Sequence, residues 1–523
     1  MKPKLRRGIL ISVSALLLFS GCSKGKEANV EGNQSEFTYW VPMPAATVSA
    51  YQNLAELPMY QELEKRTGIT IRFIHPTLGQ ESEQFNLMIA SGELPDMVEY
   101  GLDNYFGGAE KAIADNVVYT INDIMEECAP NLTKALAENE YWDRESKTDS
   151  GQYYGFPSLN TDTKRCFGGL MVRSDWLKDL GLEMPETIDE WDVVLKAFRD
   201  EKGAEAPFTG MLGHLAHTST VINPFNSGFN VGKSFYMEDG KIKFGPIEPA
   251  YKDYIAKLNE WYAGGLIDRD FDTNDTNSVN SKMMTGKSGV TFGFVGSGLG
   301  QYLNAAAQNG SDFDLEGAPY PVKNKGDQPR FINLTFETNG ILWITTACKD
   351  PKTAAKWADY MYTEDGKILK NFGIEGDTYT KEGDQYLYTD KILKNEKGLS
   401  ISEAMQLNFR SAEPGPGYCQ LDQYLDQYYQ LDQQKRAIVT WNAGVDTARN
   451  YMLPPITFSI DVSDEKANLE LELNTYVSEQ LLKFIQGVES MENYDRFVEQ
   501  CHKMKVDRLI EIYQEALDRY YAR

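Results

Sequence analysis

From Phe37 to Tyr100 the spacing of apolar residues switches repeatedly between a period near two and one near 3.6. Phe37-Thr38-Tyr39-Trp40-Val41 reads as a strand, and Pro42 and Pro44 mark the loop after it. Pro58 to Thr67 reads as a helix, because proline fits a first helical turn and Gly68 ends the run. Ile69, Ile71 and Phe73 alternate with Thr70 and Arg72, which predicts a strand reaching Ile74. Glu81 to Ala90 carries Phe85, Leu87, Met88 and Ile89 and closes at Gly92, so a second helix is expected there. Asp96-Met97-Val98-Glu99-Tyr100 reads as another strand. This alternation of strand and helix argues for an α/β domain with a largely parallel sheet.

The same pattern returns further along. Gly169 to Arg173, Ser288 to Phe294 and Ile341 to Thr345 are strand-like. Thr187 to Arg199 is a helix opened by a capping box, with Glu190 three residues after Thr187. Tyr251 to Ala263 and Lys352 to Tyr362 are helices, the latter introduced by Asp350 and Pro351. Glu465 to Gln486 and Tyr494 to Tyr520 read as two long amphipathic helices. Open parallel sheets take ligands at the C-terminal ends of their strands, so two such lobes facing each other make a deep cleft.

The N-terminus does not share this pattern. Lys2, Lys4, Arg6 and Arg7 precede an apolar run from Gly8 to Phe19, then Ser20-Gly21-Cys22. A basic start, a short apolar run and small residues describe a secretory signal. The run is shorter than the ~20 apolar residues of a membrane-spanning helix. Ser-Gly-Cys after such a run resembles the lipobox of bacterial lipoproteins, with Phe19 where leucine is usual. That resemblance implies cleavage after residue 21 and diacylation of Cys22, with residues 22–35 as a polar tether.

Composition narrows the function. At 523 residues the chain has room for more than one domain, and 41% hydrophobic residues suffice for a large core. Its formal charge is −25, and −29 once Lys2, Lys4, Arg6 and Arg7 leave with the signal, which argues against nucleic acid as a partner. Six cysteines without CxxC spacing and four histidines offer neither a disulfide scaffold nor a zinc motif. Cys128, Cys166, Cys348, Cys419 and Cys501 read as small buried hydrophobes.

Five segments then carry a family resemblance: Phe85 to Asp96; Met171 to Leu182 continuing to Phe198; Asp239-Gly240-Lys241 with Tyr251-Lys252-Asp253-Tyr254 and Trp261 to Asp268; Thr285 to Gly289; and Cys348 to Gly376. In order and spacing the chain resembles extracellular solute-binding protein family 1, the lipoprotein branch associated with oligosaccharide ABC importers. The resemblance implies an α/β, two-lobe periplasmic-binding-protein-like (type II) fold with an interlobe cleft and hinge. It implies lobe one at 36–160 plus 320–400 and lobe two at 165–318 plus 405–523. It further implies a monomeric, non-enzymatic receptor, tethered by lipid (palmitate among its acyl chains) to the extracellular face of the bacterial cytoplasmic membrane. The receptor would capture an oligosaccharide by lobe closure and pass it to permease subunits driven by a cytoplasmic ATPase. The alternatives are an extracellular glycan hydrolase, which needs paired carboxylates, and a ligand-sensing subunit of a membrane signalling system.

Sugar rings present apolar C–H faces and hydroxyl edges, so aromatic platforms and planar polar groups near strand ends are the candidate contacts. These are Trp40, Tyr100, Asp103, Phe156, Phe294, Glu337 and Trp441, the last in what reads as a polar turn at Thr440-Trp441-Asn442. Trp176, Trp191, Trp261 and Trp357 have helical spacing among apolar neighbours and are assigned to packing. No cofactor or metal is expected. Asp268, Asp270, Asp272 and Asn274 alternate like a calcium loop, but Thr273 and Val279 occupy the positions that call for Gly and Glu. The stretch Arg199 to Ala206, where some family members carry a calcium loop, lacks alternating oxygen ligands. His214 and His217 have no third ligand near them in sequence. Gly296-Ser297-Gly298 lacks the hydrolase elbow pattern, and Gly296 to Gly300 lacks the phosphate-loop ending.

Overall fold

Strands form where apolar residues alternate or run together, and thirteen are present among the described residues of the computed structural model. They are β1 (Glu36–Trp40), β2 (Thr70–Ile74), β3 (Met97–Glu99), β4 (Phe156–Asn160), β5 (Gly168–Arg173), β6 (Phe235–Glu238), β7 (Lys241–Phe244), β8 (Val290–Phe294), β9 (Leu315–Gly317), β10 (Thr338–Ile344), β11 (Tyr379–Glu382), β12 (Gln385–Tyr388) and β13 (Gly417–Cys419). The structure describes residues 35–161, 164–215, 224–336, 338–395, 399–411 and 414–523. The signal, Cys22, His217 and Glu337 lie outside the described residues.

The first lobe is built on a six-stranded sheet in the order β13-β4-β10-β3-β1-β2. The second is built on a three-stranded sheet in the order β8-β5-β9. The largely parallel sheet expected from the pattern is only partly realised. Strand β1 runs parallel to β2 and β3, and β13 to β4, but β10 is antiparallel to both β3 and β4. The second sheet is antiparallel throughout. Strand β10 follows the second-lobe strands β8 and β9 in the chain and enters the first sheet from the opposite direction.

Strand β5 is buried along its whole length. Leu170 and Val172 face one core with Trp191, Phe208, Tyr254 and Trp261, whereas Met171 faces the other. A strand covered on both faces reads as a continuous apolar run. The first core continues through Phe156, Cys166 and Leu342 to Leu299 and Trp441, so the crossing strands are themselves packed. Pro157 sits inside β4, not at its end, and the register of β10 shifts between Asn339 and Ile341 opposite it. A proline lacks the N–H a ladder needs, and a register irregularity absorbs that loss.

Two buried cations brace the first sheet, Arg410 at β3 and Lys370 at the approach to the edge strand β13. Arg410 Nη2 donates to Glu99 Oε1 at 2.8 Å, while Tyr39 donates to the other oxygen of Glu99. Lys370 Nζ donates to the carbonyls of Gly415 at 2.9 Å and Pro416 at 3.1 Å. Removing one partner of such a pair leaves an uncompensated buried charge and costs about 3–5 kcal/mol.

The helices mostly follow their caps. Thr187 forms the predicted capping box with Glu190, and Asp350 caps Pro351–Asp359. The C-terminal run is two helices, Tyr494–Lys503 and Val506–Ala522, because Lys505 between them adopts a left-handed conformation at φ 66°. Thr440-Trp441-Asn442 is the end of the helix Asp432–Asn442 and not a turn. Among the described residues no helix is long and apolar enough to cross a membrane.

Candidate functional site

A cleft of about 1210 Å³ opens between the lobes. Its first wall is the segment Gly101 to Ala109, which follows β3. Its floor is made by Glu145, Tyr154, Pro157, Phe336, Thr338 and Ile341, on and beside the crossing strands β4 and β10. Its second wall is the helix Ile460–Gln486 with the approach Pro455 to Phe458.

The helical wall follows from periodicity. Leu473, Val477, Leu481, Phe484 and Ile485 are buried in the second core. Lys466, Glu470, Asn474 and Ser478 form one row at four-residue spacing, and Ala467, Leu471, Thr475 and Glu479 form the next. Residues four apart share a helix face, so both rows line the cleft while the buried set faces the core. Leu471 is 67% exposed there, and Phe106 on the opposite wall is 53% exposed. Exposed apolar groups rimmed by polar ones mark binding surfaces.

The first wall rests on packed aromatics. Trp40 and Tyr100 meet edge to face at 5.6 Å, and Phe85 lies 5.0 Å from Tyr100. Trp343 donates its indole N–H to the Tyr100 carbonyl at 3.0 Å. Gly107 is where this wall comes up against the facing helix. Its φ is +89°, and a Cβ there would sit 2.8 Å from Lys111 Cγ and 3.4 Å from Ser463 Cβ of the facing helix. Tyr105 donates to Asp115 at 2.8 Å, and burial together with that carboxylate raises its phenol pKa. Burial pushes the Tyr154 phenol up to about 12, so it stays protonated. On the floor, Glu145 accepts from the backbone N–H of Thr338 at 2.8 Å and from its hydroxyl at 3.0 Å.

Of the residues expected to touch ligand, Asp103 lines the cleft. Trp40, 5% exposed, and Tyr100 stand behind the wall. Phe156 is fully buried, and its neighbour Pro157 lines the floor instead. Glu337 lies outside the described residues, but Phe336 and Thr338 on either side both line the cleft. Phe294 is 42% exposed at the end of β8 and lies outside the lining. Trp441 is fully buried, its indole N–H bonded to the Ala318 carbonyl at 2.8 Å. The residues missed from sequence are Tyr105, Phe106, Tyr154, Phe336 and the two helical rows. The four-residue spacing from Lys466 to Glu479 marks those rows as the face turned away from the core, which is as far as periodicity reaches.

The Asp268 loop holds a cation of its own. Lys282 Nζ lies 2.9 and 2.7 Å from the two Asp268 oxygens, 3.0 Å from Asp270 Oδ2 and 3.0 Å from Asn274 Oδ1. Burial pushes the Asp268 carboxyl up, but hydrogen bonds from Lys282, Thr209 and Asn274 outweigh it and hold the carboxyl below its ordinary range. Among the described residues no group of His, Cys, Asp and Glu is arranged to hold a metal. Cys128, Cys166, Cys348, Cys419 and Cys501 are buried as thiols. Burial pushes the thiols of Cys166, Cys348 and Cys501 up to about 12.

Two α/β lobes facing across a polar cleft are an architecture that clasps a solute. Residues 45–368, more than half of the chain, match the family of bacterial extracellular solute-binding proteins, and the chain belongs to it. It is 25% identical over 511 residues to the fructooligosaccharide ABC transporter substrate-binding protein FusA of Streptococcus pneumoniae, covering 92% of this chain and 90% of that one. It is 22% identical to the polygalacturonan/rhamnogalacturonan-binding protein YtcQ of Bacillus subtilis, covering 75% of this chain and 77% of that one. Among solved structures, the alginate-binding protein AlgQ2 without calcium ion superposes with a TM-score of 0.73 at 20% identity, covering 93% of this chain and 99% of that one. The FusA complex with kestose from S. pneumoniae superposes with a TM-score of 0.70 at 20% identity, covering 93% and 99%. These likenesses bear out the two-lobe periplasmic-binding-protein-like fold expected from the sequence.

Proposed function

We propose that this protein captures an oligosaccharide in the interlobe cleft and delivers it to an ABC importer. The observation that carries the reading is the cleft itself. It holds about 1210 Å³, it presents Phe106 and Leu471 as apolar platforms, and it surrounds them with the hydroxyls, amides and carboxylates of Asp103, Asn104, Asn474, Thr475, Ser478 and Glu479. A neutral sugar ring needs both kinds of surface. The relatives named for fructooligosaccharide and for polygalacturonan/rhamnogalacturonan support a carbohydrate ligand. Asp103, Phe106, Phe336 and Glu479 are the proposed contacts, with Trp40 and Tyr100 positioning the first wall.

Because both walls contact ligand only when the lobes close on it, the ligand favours the closed state, and that differential affinity drives the population shift. The reading includes removal of residues 1–21, lipidation of Cys22 and display of a monomer on the outer face of the cytoplasmic membrane. Two acyl chains anchor stably where one binds marginally. It also includes binding without turnover.

The test is isothermal calorimetry and thermal shift with a panel of oligosaccharides. A native-state ligand raises the melting temperature with concentration. Saturable binding with the glycan recovered intact supports the receptor. Release of new reducing ends sinks the non-enzymatic assignment, and the absence of binding by every glycan sinks the carbohydrate one.

A further inference from the structure

Charged residues around the cleft are unevenly matched. Asp103, Glu145, Glu470 and Glu479 line it, and Lys466 is the sole lining cation among the described residues. Lys466 is already engaged: its Nζ is 2.5 Å from Glu470 Oε2 and 4.5 Å above the Phe458 ring. Nearby cations are engaged as well. Lys111 pairs with Asp115, and Arg519 and Arg523 both bond Asp149 at 2.6 Å.

The carboxylates divide into two kinds. Glu145 accepts from Thr338, and Glu470 accepts from Lys466 and from the Tyr513 hydroxyl at 2.6 Å. Glu479 makes no hydrogen bond or ion pair among the described residues, and Asp103 accepts only a 3.3 Å bond from its neighbour Asn104. These two exposed carboxylates stand on opposite walls, each able to accept from a pair of adjacent hydroxyls.

We infer that the cleft selects uncharged, polyhydroxylic oligosaccharides and rejects uronate-bearing ones. The inference rests on the oligosaccharide reading above. A uronate chain carries one carboxylate per ring. Closing the lobes over it would desolvate those charges beside Asp103 and Glu479 with no unengaged ammonium or guanidinium among the described lining residues to meet them. A specificity of this kind arises from the repulsion built against the wrong ligand. It separates this chain from those relatives named for alginate and polygalacturonan and groups it with the one named for fructooligosaccharide.

The experiment compares length-matched neutral oligomers (fructose, xylose and galactose series) with galacturonate and mannuronate oligomers, by calorimetry on the mature chain. The best uronate is expected to bind at least about 100-fold more weakly than the best neutral glycan, at both low and physiological salt. Glu479→Lys, an exposed helix position, is expected to bring the uronates up by about tenfold at low salt and to lose that gain as salt screens it. A uronate bound as tightly as any neutral glycan overturns the inference. So does a chitosan oligomer bound about tenfold more tightly than its N-acetylated counterpart, since the cleft would then be a cation site. If no glycan of any charge binds, the oligosaccharide reading itself falls, an outcome distinct from a uronate winning.

Discussion

Two acidic clusters of this protein meet opposite fates. In the Asp268 loop the carboxylates surround Lys282, and every oxygen of Asp268 is matched by a donor. In the cleft Asp103 and Glu479 are left facing solvent across a gap. The residue type is the same. The difference lies in burial: Asp268 is 4% exposed and its charge needs a partner inside the fold, whereas the cleft carboxylates stay hydrated until a ligand arrives. If the first cluster serves stability and the second, as proposed, recognition, substitutions in each should move different observables.

The largest effect is expected from Lys282→Met. It leaves the Asp268 carboxylate buried without its cation and should cost about 3 kcal/mol in urea unfolding, with glycan affinity unchanged. The pH dependence follows from the sign of the shift. Because the folded Asp268 carboxyl is held below its unfolded value, its stabilisation is present above that value and is lost as pH falls through the folded one. In the variant the buried carboxyl takes up its proton at higher pH. The stability gap between the two proteins should therefore narrow as the solution is acidified toward pH ~4. A gap that widens on acidification would contradict the pairing.

Phe106→Ala should do the reverse. Its ring is half exposed, so stability should change by less than about 0.5 kcal/mol. Affinity for the bound glycan should fall by about 1.5 kcal/mol if the ring is a platform. Gly107→Ala should fall between the two classes. A β-carbon at that positive φ costs about 1 kcal/mol and crowds Lys111 where the first wall meets the facing helix. Both the unfolding midpoint and the affinity should drop. The smallest effect is expected from Glu479→Gln. Stability should stay within about 0.5 kcal/mol, and the change should appear in the ratio of uronate to neutral affinity alone.

Local rules made most elements legible. The capping box at Thr187, the proline and glycine around Pro58–Thr67 and the Asp350-Pro351 start all describe neighbours in sequence, and all are found. The split at Lys505 was hidden because a left-handed lysine leaves the apolar spacing intact on both sides. The mixed direction of the first sheet depends on where the chain returns after visiting the other lobe, which no window of residues contains. The site was nearly legible, and parity was the obstacle. The sequence points to Phe156, whereas its neighbour Pro157 faces the cleft. Successive strand residues point to opposite faces, so an error of one position exchanges core for ligand surface. The helical rows went unread because amphipathicity reports which face is buried, and the polar face looks the same whether it meets bulk water or a cleft.

The lining of the cleft has a practical side. Tyr105, Phe106, Tyr154, Phe336 and Phe458 contribute to it, yet none of the eight tryptophans does. Seven of these indoles sit in the packed interior, at no more than 7% exposure for Trp40, Trp176, Trp191, Trp261, Trp343, Trp357 and Trp441. No indole among the described lining residues can therefore report a ligand by direct contact; Trp40 and Trp343 could sense it only through Tyr100 and the wall they pack behind. A direct optical readout of occupancy could be installed, and Phe106→Trp would place an indole on the cleft lining itself.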